Sequence, residues 1–443
     1  MSSAPPARVA VIGGGISGLA SAYRLSTRGY RVTVFEGEPV LGGLGVSFPY
    51  RAGNLERFYH CILPDDTALI RLIHDVGLGD DLLWRGTDMG FMYQGRVYSM
   101  NTAMDLLRFS PLSLVDRLRM GLMGIRARRN GTSPDLDHVP VDDWIKSQVG
   151  SRAFDILWKP LLEAKIGDSF PGLPALWLSS RMSREKNTKR EVKGCLRRGH
   201  QSLVGALEAG LLAHGARIRL GTRVEAIDDN SRQMVLRLDG GSSEAFDMVV
   251  ATSPLVPFQR MTSGLGLSPA VSGLSLDYQG VISGVFLLEK PLSRYYWMPI
   301  VDSGATCQGV VEMSNLVPLD RSQNLYVTYL VNYTHRESDL FKRTDAELLE
   351  LYRSDLANLF PVAGRTIIDQ FLFRAPFVEP IWPLGYNAMR PPTTVIPGRL
   401  YLASTAQVYP SVNSWNSCCE VVDEMVEGLL ADAASMTVVG AVA

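Results

Sequence analysis

Between Val11 and Glu36 the chain reads VIGGGISGLASAYRLSTRGYRVTVFE, and this stretch constrains the fold more than any other. The apolar run Arg8 to Ile12 predicts a strand. The glycines at Gly13, Gly15 and Gly18 follow it directly, then a helical pattern closes at Gly29 and a second strand, Tyr30 to Phe35, delivers Glu36. Glycine at these spacings permits a tight turn, close approach of backbone to a pyrophosphate, and close packing of helix on strand. The helix N-terminus then offers N–H groups and a positive dipole to phosphate. A carboxylate at the end of the second strand can accept both hydroxyls of a ribose. A single glycine pattern is weak; strand, glycines, helix, strand and acid in register are strong. The expectation is an α/β chain built on a Rossmann-like dinucleotide fold.

With 443 residues the chain is too long for one compact core, and two or three interleaved domains are expected. Its 44 basic and 45 acidic residues leave a net charge of −1, so no global field draws it to nucleic acid or to an anionic membrane. The opening MSSAPPARV lacks a basic and then apolar leader, and no run of 18 apolar residues suggests a transmembrane segment. Cys61, Cys195, Cys307, Cys418 and Cys419 form an odd, scattered set that fits reduced thiols and a cytoplasmic setting. Six dispersed histidines show no metal-ligand spacing, so no metal is expected.

The nucleotide is narrowed by Leu41-Gly42-Gly43-Leu44-Gly45, a second glycine turn just past the acid. Two-dinucleotide-binding flavoproteins carry such a turn beside the pyrophosphate and flavin; many follow the glycine pair with Arg, where this chain has Leu44. Ala216 to Val224 and Ala245 to Pro254 read as segments returning to the nucleotide sheet, and Arg399 to Ala403 as a strand before a helix starting near Ser414 to Ser417. With Val139 to Trp144, Trp158 to Asp168 and Gly194 to Leu207, these segments make the chain similar, over nearly its whole length, to the FAD-binding superfamily of amine oxidases, protoporphyrinogen oxidases and UDP-galactopyranose mutases.

The resemblance implies noncovalent FAD held by Gly13, Gly15, Ile16, Ser17, Gly18, Glu36, Gly42, Gly43, Leu44, Val224, Thr252, Ser404, Val412, Asn413 and Asn416. The pattern along the chain predicts a discontinuous FAD-binding domain (1–56, 190–258 and 372–432), a helical cap (57–189) from apolar spacings near 3.6, a β-rich substrate domain (259–371) and a small, apolar, fraying tail (433–443). Two chemistries fit. The leading one is hydride transfer from a small molecule to flavin N5, with an amine, an alcohol or a compound of sugar or glycosylated-metabolite biosynthesis as substrate. The alternative is a non-redox nucleotide-sugar mutase working on reduced FAD, with NAD(P)H as the candidate external reductant. It rests on Leu55 to Asp66 (LERFYHCILPDD), whose Tyr59 and His60 resemble a mutase loop near the flavin. His60 is a candidate hydrogen-bonding or proton-shuttling group, or simply satisfies a buried carbonyl. A scaffold that keeps FAD only structurally is a third reading.

Other candidates follow from position. Arg374, Tyr386 and Arg390 precede the last strand, where a substrate diphosphate or carboxylate could be gripped. Trp297, Glu312, Tyr329 and Tyr333 lie on the expected substrate sheet, and Tyr409 and Trp415 flank the last helix. Lys165 reads as a solvated helix residue or a flavin-side cation. Met104 to Arg129, with Arg108, Arg117, Arg119, Arg126, Arg128 and Arg129, reads as an amphipathic membrane-surface helix or as a helix covering the cleft; Pro111 interrupts it, and the second reading is preferred. The oligomeric state is open, a homodimer included.

Overall fold

The computed structural model describes residues 6–440, apart from 52, 131, 185–190, 302–303 and 318–324. Its nucleotide-binding sheet has six strands in the order Thr394–Ile396, Leu400–Leu402, Met248–Ala251, Arg8–Ile12, Arg31–Phe35 and Arg217–Arg219. Neighbours run parallel except the first pair. Parallel strands covered on both faces are apolar throughout, and alternate residues here enter two different cores. Val9, Val11, Val32 and Val34 pack with the helices Ile16–Ser26, Thr67–Asp75, Gln201–Ala213 and Trp415–Gly440. Ala10, Ile12, Val249 and Leu402 face the opposite core, which is shared with Val141, Leu173 and Trp177.

A five-stranded antiparallel sheet forms the second layer, in the order Trp297–Pro299, Gly309–Glu312, Tyr326–His335, Asp277–Leu288 and Ile367–Ile381. Its faces also separate: Val281, Val285, Tyr329 and Tyr333 line one side, whereas Ile282, Phe286 and Leu330 pack under the helix Asp345–Leu359 on the other.

Several expected boundaries move. The strand Ile367–Ile381 stays in the five-stranded sheet well past residue 372, because it pairs with Asp277–Leu288 along its length. Between Arg217–Arg219 and Met248–Ala251 the chain makes a separate three-stranded antiparallel sheet, Val224–Asp229, Met234–Leu238 and Ser243–Phe246. The helical cap also carries strands: Leu82–Thr87 pairs with Glu191–Leu196, and Gly90–Tyr93 with Arg96–Ser99. The expected junction at 189–190 lies outside the described residues. The closing helix runs on to Gly440 through most of the expected tail, whose residues 441–443 lie outside the described residues.

Met104 to Arg129 is broken at Pro111 into the helices Ala103–Arg108 and Leu114–Asn130. The longer one packs on Val141–Val149 and Ala175–Arg184. It does not cover the cleft: the helix Lys159–Ile166 packs against the substrate sheet instead, and the outer face of Leu114–Asn130 is left to solvent.

Candidate active site

The first glycine turn is shaped by what cannot fit there. Gly13 has φ +110°, and a Cβ on Gly18 would lie 1.8 Å from the Gly13 carbonyl oxygen. Only glycine lets the helix Ile16–Ser26 start this close to the strand. Thr252 closes the turn from the adjacent strand, its hydroxyl donating to the Ile12 carbonyl at 2.8 Å. The second glycine turn lies directly against the first: the Gly42 N–H donates to the Gly14 carbonyl at 2.9 Å, and a Cβ on Gly43 would sit 3.1 Å from the Gly15 Cα. The helix begins at Gly15 without a side-chain cap and without an acid in its first turn. Its dipole and N–H groups are therefore left for an anion, as a dinucleotide requires. Glu36 stands beside the turn, its carboxylate accepting the Gly14 N–H at 2.6 Å and the Glu38 N–H at 2.8 Å. The cradle fits a dinucleotide.

The remaining residues expected at the cofactor take varied positions. Leu44 packs against the substrate-side cluster of Phe48, Tyr329 and Tyr333. Val224 is buried at the start of its strand. The Ser404 hydroxyl accepts the Ala406 N–H, and the Val412 carbonyl accepts the Ser417 hydroxyl at 2.9 Å. The Asn413 amide donates to the Val378 carbonyl, tying the start of the closing helix to the substrate sheet. Asn416 is fully buried; its side-chain oxygen accepts the Ala68 and Leu69 N–H groups at 3.0 and 3.1 Å and so caps the helix Thr67–Asp75.

Trp415, the first residue of the closing helix, covers Gly45, where any Cβ would lie 2.1 Å from its ring. Its ring also meets the imidazoles of His60 and His200, with centroids 5.4 and 4.8 Å away. Glu56 joins the two: its carboxylate lies 3.3 Å from His60 Nδ1 and 3.0 Å from His200 Nδ1, and accepts the His200 backbone N–H at 2.8 Å. Burial raises the energy of this carboxylate, but the two imidazoles outweigh it and hold Glu56 well below the usual carboxylate range. One ligand-capable atom from each of the three lies within 4.8 Å of the others, with Glu56 bonding both imidazoles.

Beyond His60 the side chains form an aromatic cluster. Tyr59 and Tyr333 share a hydroxyl–hydroxyl hydrogen bond at 3.0 Å. The Tyr59 ring lies 6.1 Å from Trp297 and 6.3 Å from Tyr329, whose hydroxyl donates to the Glu56 carbonyl. Burial, reinforced by Tyr333, pushes the Tyr59 hydroxyl well above its ordinary range. Burial likewise pushes Tyr333 up to about 12. Lys165 stands 4.4 Å over the Tyr333 ring and pairs with Glu379 at 3.4 Å. Glu379 is 1% exposed, and its other oxygen has no hydrogen-bond partner among the described residues.

The grip expected from Arg374, Tyr386 and Arg390 is not assembled. Arg374 pairs across the strands with Ile282, on the face turned away from Tyr333. There it donates to Asp345 and to the Arg343 carbonyl, both at 2.5 Å. Tyr386 is fully buried between Trp382 and Tyr409, donating to the Ala406 carbonyl. Arg390 reaches Glu424 and the Gln407 carbonyl. Tyr409 donates to Asp137. Glu312 instead accepts the Leu292 and Ser293 N–H groups at 3.0 and 2.8 Å, holding a turn, and burial pushes its carboxyl up to about 7.

Glue-like partners went unseen in the sequence. Glu56, His200 and Glu379 carry no motif, and the solvated reading of Lys165 gives way to a cation against Tyr333. Glu56 lying one helical turn's spacing before His60 was the one available hint.

Fold and cradle together define a dinucleotide-binding protein. The family described as flavin containing amine oxidoreductase matches residues 16–412, and the chain belongs to it. It is similar to the mitochondrial protoporphyrinogen oxidase of Nicotiana tabacum, at 25% identity over 86% of each chain. Among solved structures, an oxidoreductase from Methanosarcina mazei superposes with TM-score 0.72 at 19% identity, covering 95% of this chain and 100% of that one. Reduced UDP-galactopyranose mutase gives 0.73 at 16% identity, covering 95% and 96%. At these identities the two structures share the fold. Among the described residues, no helix is long and apolar enough to cross a membrane.

Proposed function

We propose that the protein binds FAD noncovalently and oxidises a small molecule by removing a hydride from a carbon beside an amine or alcohol. The observation that carries this reading is the buried Glu379, paired with the partly exposed Lys165 and set against the Tyr59–Tyr333 hydroxyls, beside the Val378 carbonyl that anchors the closing helix. Bound FAD supplies the hydride acceptor. The two glycine turns and the Ile16–Ser26 helix would hold its diphosphate, and the Glu36 carboxylate beside the turn would serve the ribose hydroxyls.

Tyr59, Tyr329, Tyr333 and Trp297 form a dry wall that orients the substrate and excludes water. The unpartnered oxygen of Glu379 accepts an N–H or O–H of the substrate, while Lys165 holds the other carboxylate oxygen. Glu56 fixes the rings of His60 and His200 against Trp415, so these residues position the pocket floor. Noncovalent attachment is supported by the cysteines: burial pushes the thiols of Cys61, Cys418 and Cys419 above their ordinary range, Cys418 to about 11, which leaves little thiolate.

The mutase reading keeps His60 as its support, but the cationic grip that a nucleotide-sugar diphosphate would want from Arg374 and Arg390 faces elsewhere. The experiment is anaerobic titration of the purified yellow protein with amines, alcohols and nucleotide sugars. Bleaching by substrate alone is expected. Isomer formation only after reduction by dithionite or NAD(P)H would replace this reading with the mutase. A colourless protein that takes up no added FAD would remove both.

A further inference from the structure

We propose that the outward face of the helix Leu114–Asn130, with the short helix before it, docks on an anionic lipid bilayer. Leu114, Val115, Leu118, Leu122 and Ile125 are 51% to 69% exposed. At 3.6 residues per turn they share one sector of roughly 100°. The opposite sector holds Asp116, Met123 and Ala127, all buried against the cap. The helix thus buries one sector, Asp116 included, against the cap, and among the described residues its apolar outer sector has no partner in the fold. Met104 and Leu107, on the helix Ala103–Arg108, add further exposed apolar surface.

The flanks are cationic. Residues 103–130 contain six arginines and two acids. Arg119 and Arg126 border the apolar sector on one side and Arg117 on the other, while Arg108 and Arg129 are exposed. Neither acid offsets them: Asp116 is buried and accepts from Ser113, and Asp105 closes the capping box with Thr102. Arg117 also donates to the Leu107 and Leu112 carbonyls at 2.5 and 2.8 Å, which fixes the two helices across the Pro111 bend.

A leucine stripe bordered by arginines suits a helix lying in the plane of a negatively charged interface, its side chains entering the acyl boundary. At 17 residues the helix is too short to span. A second copy of the chain suits it poorly, since a two-fold contact would set arginine against arginine with no exposed acid on the helix to separate them. The neutral overall charge conceals the patch, because the balancing acids lie elsewhere.

The experiment is flotation of the holoprotein with vesicles of phosphatidylcholine alone or mixed with phosphatidylglycerol. Binding to the mixed vesicles, weakened by salt, is expected. Leu118→Ser with Leu122→Ser should lower partitioning about tenfold. Arg119→Gln with Arg126→Gln should lower it roughly tenfold at low salt. Both variants should keep the flavin spectrum and melting temperature, since all four side chains are exposed. Failure to bind mixed vesicles, or binding indifferent to the leucine pair, overturns the proposal. So does a concentration-dependent dimer abolished by the same leucine substitutions, which would assign the face to a second copy, or equal, leucine-independent capture by polyglutamate, which would assign it to an acidic polypeptide.

Discussion

The cradle at Gly13–Gly18 works by leaving side chains out, whereas the pocket around Tyr59 works by bringing them in from segments far apart in the chain. In the cradle, Gly18 meets backbone at 1.8 Å if given a Cβ, and the recognition groups are the N–H groups of a helix end. In the pocket, Lys165 from the cap meets Glu379 from the substrate sheet, and Tyr59 from the loop after the glycine turns meets Tyr333. A backbone device survives wide changes in surrounding sequence, because it depends on a few glycines. A side-chain device can be rebuilt for a new substrate while the cradle stays as it is.

The sharpest way to break this contrast is to orphan a buried charge in the pocket. Lys165→Met leaves Glu379 unpaired and should cost about 3–5 kcal/mol in stability, measured by denaturant unfolding, with most recovered by adding Glu379→Gln. Full stability of the single variant would mean that the pair is not a unit.

Glu312 tests a second buried carboxyl, outside the pocket. Its folded-state pKa is raised to about 7 from 4.5. The folded protein therefore binds this proton more tightly than the unfolded chain, and the associated stability is present below pH 4.5 and lost as pH rises through 7. Glu312→Gln should flatten the stability profile across that window by on the order of 3 kcal/mol. Parallel profiles for the two proteins would remove Glu312 as the titrating group.

In the cradle, Gly18→Ala should destabilise by about 2 kcal/mol and empty the site of flavin, read as the ratio of visible to ultraviolet absorbance. At the junction of the two regions, Asn416→Ala should cost about 1 kcal/mol by uncapping the helix Thr67–Asp75, without changing FAD affinity. A large loss of affinity would return Asn416 to the cofactor. Smallest of all, Arg374→Gln should change stability by less than about 1 kcal/mol and leave turnover of any identified substrate unaltered.

The same contrast explains what the sequence could reveal. The cradle was legible because its signal is local: strand, glycines, helix and acid lie within Val11–Glu36 and in register. Glu379 and Arg374 were not separable, because a strand alternates its faces and the register of Ile367–Ile381 depends on pairing with Asp277–Leu288 and on its bulge. Lys165 resembled any solvated helix lysine until Tyr333 was brought under it. Leu118 and Leu122 resembled a cleft-facing stripe, because periodicity reports that a helix has an apolar face and not which neighbour covers it.

The interleaving of the nucleotide sheet has a consequence for synthesis. Strand Arg8–Ile12 emerges from the ribosome early, yet its neighbour Met248–Ala251 arrives some hundreds of residues later and Leu400–Leu402 later still. Trp415, which roofs Gly45, follows after that strand. The glycine turns therefore wait for these later partners, supported only by the neighbouring strand Arg31–Phe35 and by each other. The nascent chain gains a stable flavin seat only when its closing segment docks, so a ribosome stalled before residue 400 would release a polypeptide without a finished cradle.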